Sequence, residues 1–384
     1  MHCPRCRRPG LTSQDFYANR SKKDGLDTYC KVCAKARQRG AVVDPTKPPP
    51  TLVEAHQAAT EQRDMRAEMR ALVEENLSLK KQLTFVGGLK NGSGTDITRA
   101  SEVGGEAVAC AIFSDWHVEE PVEPGKVHGI NEYNLTIAKS RSEHAFKNLL
   151  RLATIMSRDT KIDTIFLALL GDFFSNYIHE ELREGNLLGP APAAQFALER
   201  LGAGIQFLLD EGPFKLIIDC VPGNHGRMTL KPRIQNATET SLETFMYHSL
   251  AARFEGNPRV EFRVAESKMV YRRFFEKFNM RLIHGDDVKF GGGVGGVTIP
   301  IRKKLAAWDK AIRADLTVMG HFHQLMDGGD FIVNGSLIGY NEFAQAIGAS
   351  PEEPRQSFFL IHNRNGGQKS IHAPIWLDDK HKEG

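Results

Sequence analysis

Apolar residues recur along this chain with two different periods. Between residues 51 and 83 there is neither Gly nor Pro, and Met65, Met69, Leu72, Asn76, Leu79 and Leu83 alternate by four and three. That spacing is the a/d seam of a heptad repeat and predicts a helix over residues 51–85. Ala55, Ala58 and Gln62 extend the register weakly toward the N-terminus. The stripe is narrow, and Asn76 falls at an a position, where its amide can pair with its counterpart in a second chain. The pattern therefore predicts a parallel homodimer through residues 55–83. The alternative is an amphipathic helix docked on its own chain.

From residue 106 the period changes. Short apolar runs at 108–113, 164–170, 216–221, 281–283 and 316–319 read as buried strands, with helical patterns at 139–156, 193–209 and 240–254 among them. Residues 330–334 and 357–362 read as further strands of a C-terminal β layer. Buried strands that end in polar groups predict an α/β fold of layered sheets, with a site along one edge. There is no internal repeat.

Punctuation divides the rest. Pro45, Pro48, Pro49 and Pro50 make residues 41–50 a stiff linker, and Gly87, Gly88, Gly92, Gly94, Gly104 and Gly105 make 86–105 a flexible one. The expected order is a small head (1–40), linker, coiled-coil helix (51–85), linker, catalytic domain (106–377) and tail (378–384).

Charge and cysteine alter the picture at the head. The chain carries a net +3, yet residues 1–40 hold ten Lys/Arg against three Asp, so +7, leaving −4 for the remainder. A basic head on a mildly acidic body fits a polyanion contact or a small solvated module. Cys3-Pro4-Arg5-Cys6 and Cys30-Lys31-Val32-Cys33 form two CxxC knuckles separated by twenty-three residues. Two such knuckles close a tetrahedral thiolate site, so Cys3, Cys6, Cys30 and Cys33 are candidate ligands of one structural Zn²⁺. A segment this short buries little core, and the metal would supply its stability. Cys110 and Cys220 lie within strands and read as buried thiols. The chain starts without an apolar signal segment and has no eighteen-residue apolar run, so a cytoplasmic protein with no membrane partner is expected.

Five short motifs follow apolar runs: Asp115-Trp116-His117, Gly171-Asp172, Gly223-Asn224-His225, His284-Gly285-Asp286 and Gly320-His321-Phe322-His323. Singly, each is explained by a cap, a turn or a satisfied core histidine. Their ordered series is that of the calcineurin-like metallophosphoesterases, which residues 106–377 resemble. The resemblance implies a four-layer α/β/β/α sandwich with two divalent metals on the central strand ends. It implies that Asp115, His117 and His323 hold one metal, that Asn224, His284 and His321 hold the other, and that Asp172 bridges them. It further implies a metal-bridging hydroxide as nucleophile, with His225 assisting the leaving group; the alternative for His225 is a hydrogen-bonding role behind the ligands. Mixed nitrogen and oxygen ligation without thiolate suits Mn²⁺, favoured here, or Fe or Zn. The chain departs from the family at Ser175 and Gly226, where many relatives carry acids, so the orientation of Asp172 and His225 is expected to differ. Asp286 is available as an outer partner of His284.

The surroundings bear on the substrate. His179 and Arg183 are candidate phosphate contacts, or residues of an ordinary surface helix. Arg227, Lys231 and Arg233 suit a polyanion, or solvate a loop. Residues 291–296 read as a mobile loop or a hinge, with Pro300 placed for the first turn of a helix. The segment from Asn334 to Tyr340, with these details, resembles phosphoesterases encoded by bacteriophages, which would place the chain in a host cytoplasm. Asp15-Phe16-Tyr17, the basic run from Arg20 and Tyr29-Cys30 resemble zinc-ribbon heads of phage and nuclease-associated proteins. Such heads bind nucleic acid or dock proteins. The reading is thus a dimetal phosphodiesterase acting on DNA, similar in ligand set to the nuclease subunits of bacterial double-strand-break repair complexes. The alternatives are a phosphatase or phosphodiesterase for small nucleotides or phosphoproteins, and a zinc-ribbon and coiled-coil scaffold with a vestigial site.

Overall fold

The computed structural model describes residues 1–38, 52–87, 104–289 and 296–378. The linkers at 39–51 and 88–103, residues 290–295 and the tail from 379 lie outside the described residues, as do the side chains of Ala55, Ala58, Gln62, Asn76 and Leu83. The chain divides into two compact units, Met1–Thr98 and Arg99–Gly384.

The first unit contains an antiparallel hairpin, β1 (Phe16–Ala18) and β2 (Leu26–Cys30), followed by α1 (Lys31–Gln38). Its small core is the four cysteines and Phe16, with Leu11, Leu26 and Tyr29 packed against them. Helix α2 (Leu52–Gly87) is continuous, as expected of a stretch without Gly or Pro. Its seam residues Met65, Met69, Leu72 and Leu79 are exposed, between 47% and 62% of their surface.

In the second unit the strands and helices run β3 (Gly104–Phe113), α3 (Leu135–Met156), β4 (Thr160–Leu169), α4 (Glu180–Gly185), α5 (Pro190–Glu211), β5 (Lys215–Cys220), α6 (Leu242–Arg253), β6 (Val260–Val264), β7 (Met269–Phe274) and β8 (Phe278–Ile283). Then come α7 (Thr298–Trp308), β9 (Leu316–Met319), β10 (Met326–Asp327), β11 (Phe331–Val333), α8 (Glu342–Ala346), β12 (Arg355–His362) and β13 (Gln368–Trp376). They form two sheets, ordered β13-β12-β3-β4-β5-β6 and β10-β11-β9-β8-β7. β3 to β6 are parallel, as are β8, β9 and β11; β12, β13, β7 and β10 are added antiparallel.

Side chains alternate between the faces of each strand, and the cores follow. Ala107, Ala109, Ala111 and Phe113 of β3 join one cluster with residues of α3, α5 and α6. Cys110 and Ile112 of the same strand join another, with Met280, Leu282, Leu316 and Val318 of the second sheet. A third cluster packs Ile301 and Leu305 of α7 on Ile283, Met319, Phe331 and Val333. At one margin, buried Asp219 of β5 pairs with Arg263 of β6 and with Arg272 of β7, tying the two sheets electrostatically.

The mixed α/β character expected from the apolar periods is present. The two late strands do not share one C-terminal layer: β11 belongs to the five-stranded sheet, whereas β12 lies between β13 and β3, second from the edge of the six-stranded one. Strands β6, β7 and β13 were not legible as apolar runs, because they are edge or near-edge strands with mixed, partly exposed faces.

Candidate metal centre

The five motifs sit directly beyond the carboxyl ends of β3, β4, β5, β8 and β9. Because β3, β4 and β5 are parallel, and β8 and β9 likewise, these ends gather along one edge of each sheet. Five of the seven candidate ligands, Asp115, His117, Asp172, His321 and His323, hold left-handed backbone conformations, with φ between 47° and 72°. Such conformations are unfavourable for these residues and persist where the surroundings over-determine them. One reason for that determination is close approach. A Cβ on Gly171 would lie 2.1 Å from the amide nitrogen of Gly223, and one on Gly223 would lie 2.1 Å from Asp172 Oδ1. The turns bearing Asp172 and Asn224 are thus in backbone contact, with no room for a side chain.

The ligand atoms converge in overlapping groups. Asp115, His117 and His323 form one, Asp172, His284 and His321 a second, and His117, Asp172 and His225 a third, the atoms of each lying within 4.8 Å of one another. His117 Nε2 faces His323 Nε2 at 3.2 Å. His284 Nε2 lies 2.9 Å from Asp172 Oδ2 and 3.1 Å from Asn224 Oδ1. All seven candidate residues are therefore brought together.

Hydrogen bonding shows what such a cluster would accept. His284 Nδ1 donates to the Leu170 carbonyl at 2.6 Å, so a neutral His284 presents only a lone pair at Nε2. That lone pair, a carboxylate oxygen and an amide oxygen then point at one another, an arrangement that requires a proton or a cation between them. Without a metal a proton takes the place: burial would lower the His284 pKa, but the Asp172, Asp115 and Asp286 carboxylates outweigh it and raise it to about 10. Burial also acts to raise Asp172, and His284, His225 and His117 overcome this and hold it well below the usual carboxylate range. Burial and the charge of His284 lower His321 to about 4. The donor set, all imidazole and oxygen, fits divalent cations.

Outer contacts fix the ligands. Asp115 accepts from the Ser114 hydroxyl at 2.5 Å and from the His321 amide at 3.0 Å. Ser114 Oγ in turn accepts from Asn334. Ser175 stands between His117 Nδ1 (2.8 Å) and Glu120 Oε2 (2.7 Å); since its hydroxyl donates to the carboxylate, it is free to accept from the imidazole. The serine thus relays His117 to a carboxylate supplied by the neighbouring turn. Glu119 Oε1 accepts from the amides of Ser175 and Asn176, and Glu243 accepts from those of Phe173 and Gly223. Burial pushes the pKa of Glu119 and of Glu243 up, opposed in each by the backbone amides that the carboxylate accepts. Asp286 does not bond the His284 ring, whose Nδ1 is committed to Leu170; it pairs with Lys268. No motif marks Glu119 and Glu243, carboxylates whose partners are backbone amides 20 to 70 residues away, or Glu120, whose partners are the side chains of Ser175 and Asn341.

His225 Nδ1 donates to the Ser175 carbonyl at 2.8 Å. Its ring lies 4.8 Å from that of His117 and 6.3 Å from that of His179. Arg227 donates to the Asn224 carbonyl, and burial lowers its pKa. His179 and Arg227 are thereby beside the centre. Arg183, Lys231 and Arg233 are exposed. Residues 291–295 are outside the described residues; Pro300 is in the first turn of α7, as expected.

In the first unit, Cys3, Cys6, Cys30 and Cys33 are all buried, with their sulfurs within 4.8 Å of one another. The Cys30 amide donates to Cys3 Sγ at 3.3 Å, and the Arg7 amide to the Cys3 carbonyl at 2.9 Å, closing the first knuckle. Burial raises the Cys3 thiol pKa, and the amides of Cys30, Cys6 and Arg5 outweigh it and lower it to about 6. This donor set fits Zn²⁺.

Comparison with protein-family models and with curated proteins gives no match. Among solved structures, Vps29 of Chaetomium thermophilum is similar over 70% of this chain and 95% of its own, at 11% identity and a TM-score of 0.27. The sulfate thiohydrolase SoxB of Thermus thermophilus, in complex with glycerol, is similar over 73% and 58%, at 9% identity and 0.30. The phosphopantetheinyl hydrolase of Mycobacterium tuberculosis is similar over 70% and 97%, at 12% identity and 0.27. TM-scores of this size establish no shared function, and the chemistry of the centre rests on this chain's own side chains.

The contact between turns makes Gly223→Ala a severe change. A Cβ there meets Asp172, so divalent-metal affinity is expected to fall by at least about tenfold, as for lost outer-shell order. Calorimetric titration of the variant with Mn²⁺ checks this; wild-type affinity would show that the two turns separate freely.

Proposed function

We propose that this chain is a dimetal phosphodiesterase acting on DNA. The observation that carries the catalytic class is the pair of acceptor groups, Asp115/His117/His323 and Asp172/His284/His321, with Asn224 at 3.1 Å from His284 and with Asp172 also in reach of His117. Asp172 would bridge two cations. The three core clusters, two sheets between helices, support a four-layer α/β/β/α sandwich as the scaffold. Bound Mn²⁺, Fe or Zn would supply Lewis acidity toward a phosphoryl oxygen and a water of lowered pKa.

The chain's own residues do the rest. His225, oriented by the Ser175 carbonyl, delivers a proton from Nε2 to the leaving oxygen. Arg227 and His179 lie on the His225 side, where a second phosphate of a polyanion would be met. DNA as substrate is supported by the basic head, +7 in residues 1–40 before thiolate charge is counted. A second copy of the chain is supported by the exposed seam of α2. The segment division given above is the proposed domain organisation.

Asp172→Asn is expected to abolish diester cleavage, and His225→Ala to lower kcat roughly 10²–10⁴-fold, as loss of a general acid does. Purified protein with Mn²⁺ is assayed on linear DNA, circular DNA, RNA, cyclic nucleotides and a chromogenic diester. Full turnover by the Asp172 variant would overturn the two-metal reading, and cleavage confined to small diesters would overturn DNA as substrate.

Removal of residues 1–40 is expected to spare the chromogenic diester while weakening DNA binding and flattening its dependence on salt, because cationic contacts are lost. Unchanged DNA affinity would assign the head to protein docking.

Glutamate at Leu72 and Leu79 is expected to convert a dimer to a monomer with unaltered diester hydrolysis, since charges at seam positions oppose pairing. Sedimentation of wild type and variant decides it: a monomeric wild type would exclude the coiled coil.

A further inference from the structure

Glu243 lies in the first turn of α6, and its side chain is fully buried. One carboxylate oxygen accepts from the amide of Phe173 at 2.8 Å and the other from the amide of Gly223 at 2.7 Å. Phe173 follows Asp172 directly, and Gly223 directly precedes Asn224. A single side chain therefore holds both ligand-bearing turns at once, behind the atoms that face the metals. The spacing it sets is tight: the His225 amide donates to Asp172 Oδ1 at 2.8 Å across the same gap.

The carboxylate reaches this place because residue 226 has no side chain. A Cβ on Gly226 would lie 2.8 Å from Glu243 Cγ and 2.7 Å from Ser241 Oγ. The helix start is fastened there, the Leu242 amide donating to the Gly226 carbonyl at 2.7 Å and the Met228 amide to Thr240 at 2.9 Å. The Ser241 hydroxyl, buried and without a partner, is held by no hydrogen bond, so it can rotate away. The obstacle at 226 is then Glu243 itself.

We infer that Glu243 is a positioning residue that staples the Asp172 and Asn224 turns together, and that Gly226 is the space it requires. The inference rests on the dimetal reading for its effect on metal binding, but the staple itself is independent of any metal. Neither Gln nor Ala replaces it: Gln turns a donor toward an amide N–H, and Ala leaves two buried amides unpaired.

The test is a cycle of Glu243→Ala, Gly226→Asp and the double variant in the full chain, with Glu243→Gln as a milder change. Amide hydrogen exchange is followed without metal, and Mn²⁺ affinity by calorimetry. Glu243→Ala and Glu243→Gln are expected to accelerate exchange at Phe173 and Gly223, and to weaken Mn²⁺ binding about 10–100-fold, as outer-shell losses do. Gly226→Asp alone should also weaken binding, yet in the Glu243→Ala background it should regain part of the affinity, because the 2.8 Å contact with Glu243 Cγ is gone, only the Cβ of residue 243 at 3.0 Å remains, and a carboxylate returns. Unchanged exchange at both amides, or an equal cost of Gly226→Asp in both backgrounds, would overturn the staple. Faster exchange in Glu243 variants of a wild type that binds no Mn²⁺ would keep the staple and overturn the dimetal reading.

Discussion

The structure is organised around an electrostatic conflict among buried acceptor groups. Asp172 Oδ2, Asn224 Oδ1 and the Nε2 of His284 meet with no donor among them once Nδ1 of His284 is spent on Leu170. Buried acceptors left facing one another are costly, and only positive charge removes the conflict. In the metal-free protein a proton on His284 does so, which is why its pKa rises to about 10 against the effect of burial. Divalent cations would do so with more charge and with several acceptors at once. The proposed chemistry draws on the same conflict, because an unresolved set of acceptors is what binds a cation.

Holding such a set together requires rigid support. The parallel strands place every ligand turn on one edge, and the two sheets share the cluster around Ile112, Met280 and Leu316. Beyond the strand ends the backbone is driven into left-handed turns at Asp115, His117, Asp172, His321 and His323. Carboxylates from elsewhere in the chain then take up the amides that these turns leave free: Glu119 those of Ser175 and Asn176, Glu243 those of Phe173 and Gly223. The strain is local, and the hydrogen bonds that contain it are long-range in sequence.

Much of this was legible in residues 106–377, because the ligands follow apolar runs and ordered runs with polar ends are how parallel sheets appear in a sequence. The strands 316–319 and 108–113 were readable for that reason, and the convergence of the five motifs follows from their strand ends. Strands with mixed faces, such as Met269–Phe274, were not, since an edge strand shows no continuous apolar run. The departures at Ser175 and Gly226 were visible as residue types but not as devices. Only in the folded chain does Ser175 pass the His117 bond to Glu120, and Gly226 make room for Glu243.

By itself the sequence determined the elements whose cause is local. Heptad spacing and the absence of Gly and Pro give α2, paired knuckles bring four sulfurs to one side, and apolar runs give the central strands. Tertiary structure alone decided what depends on approach between distant segments. It separated β11 from β12 into different sheets, turned Asp286 to Lys268 instead of His284, and supplied the carboxylates behind the ligands. The physical reason is that periodicity reports which face of an element is buried, whereas a hydrogen bond to a backbone amide depends on position and leaves no mark on the residue that donates it.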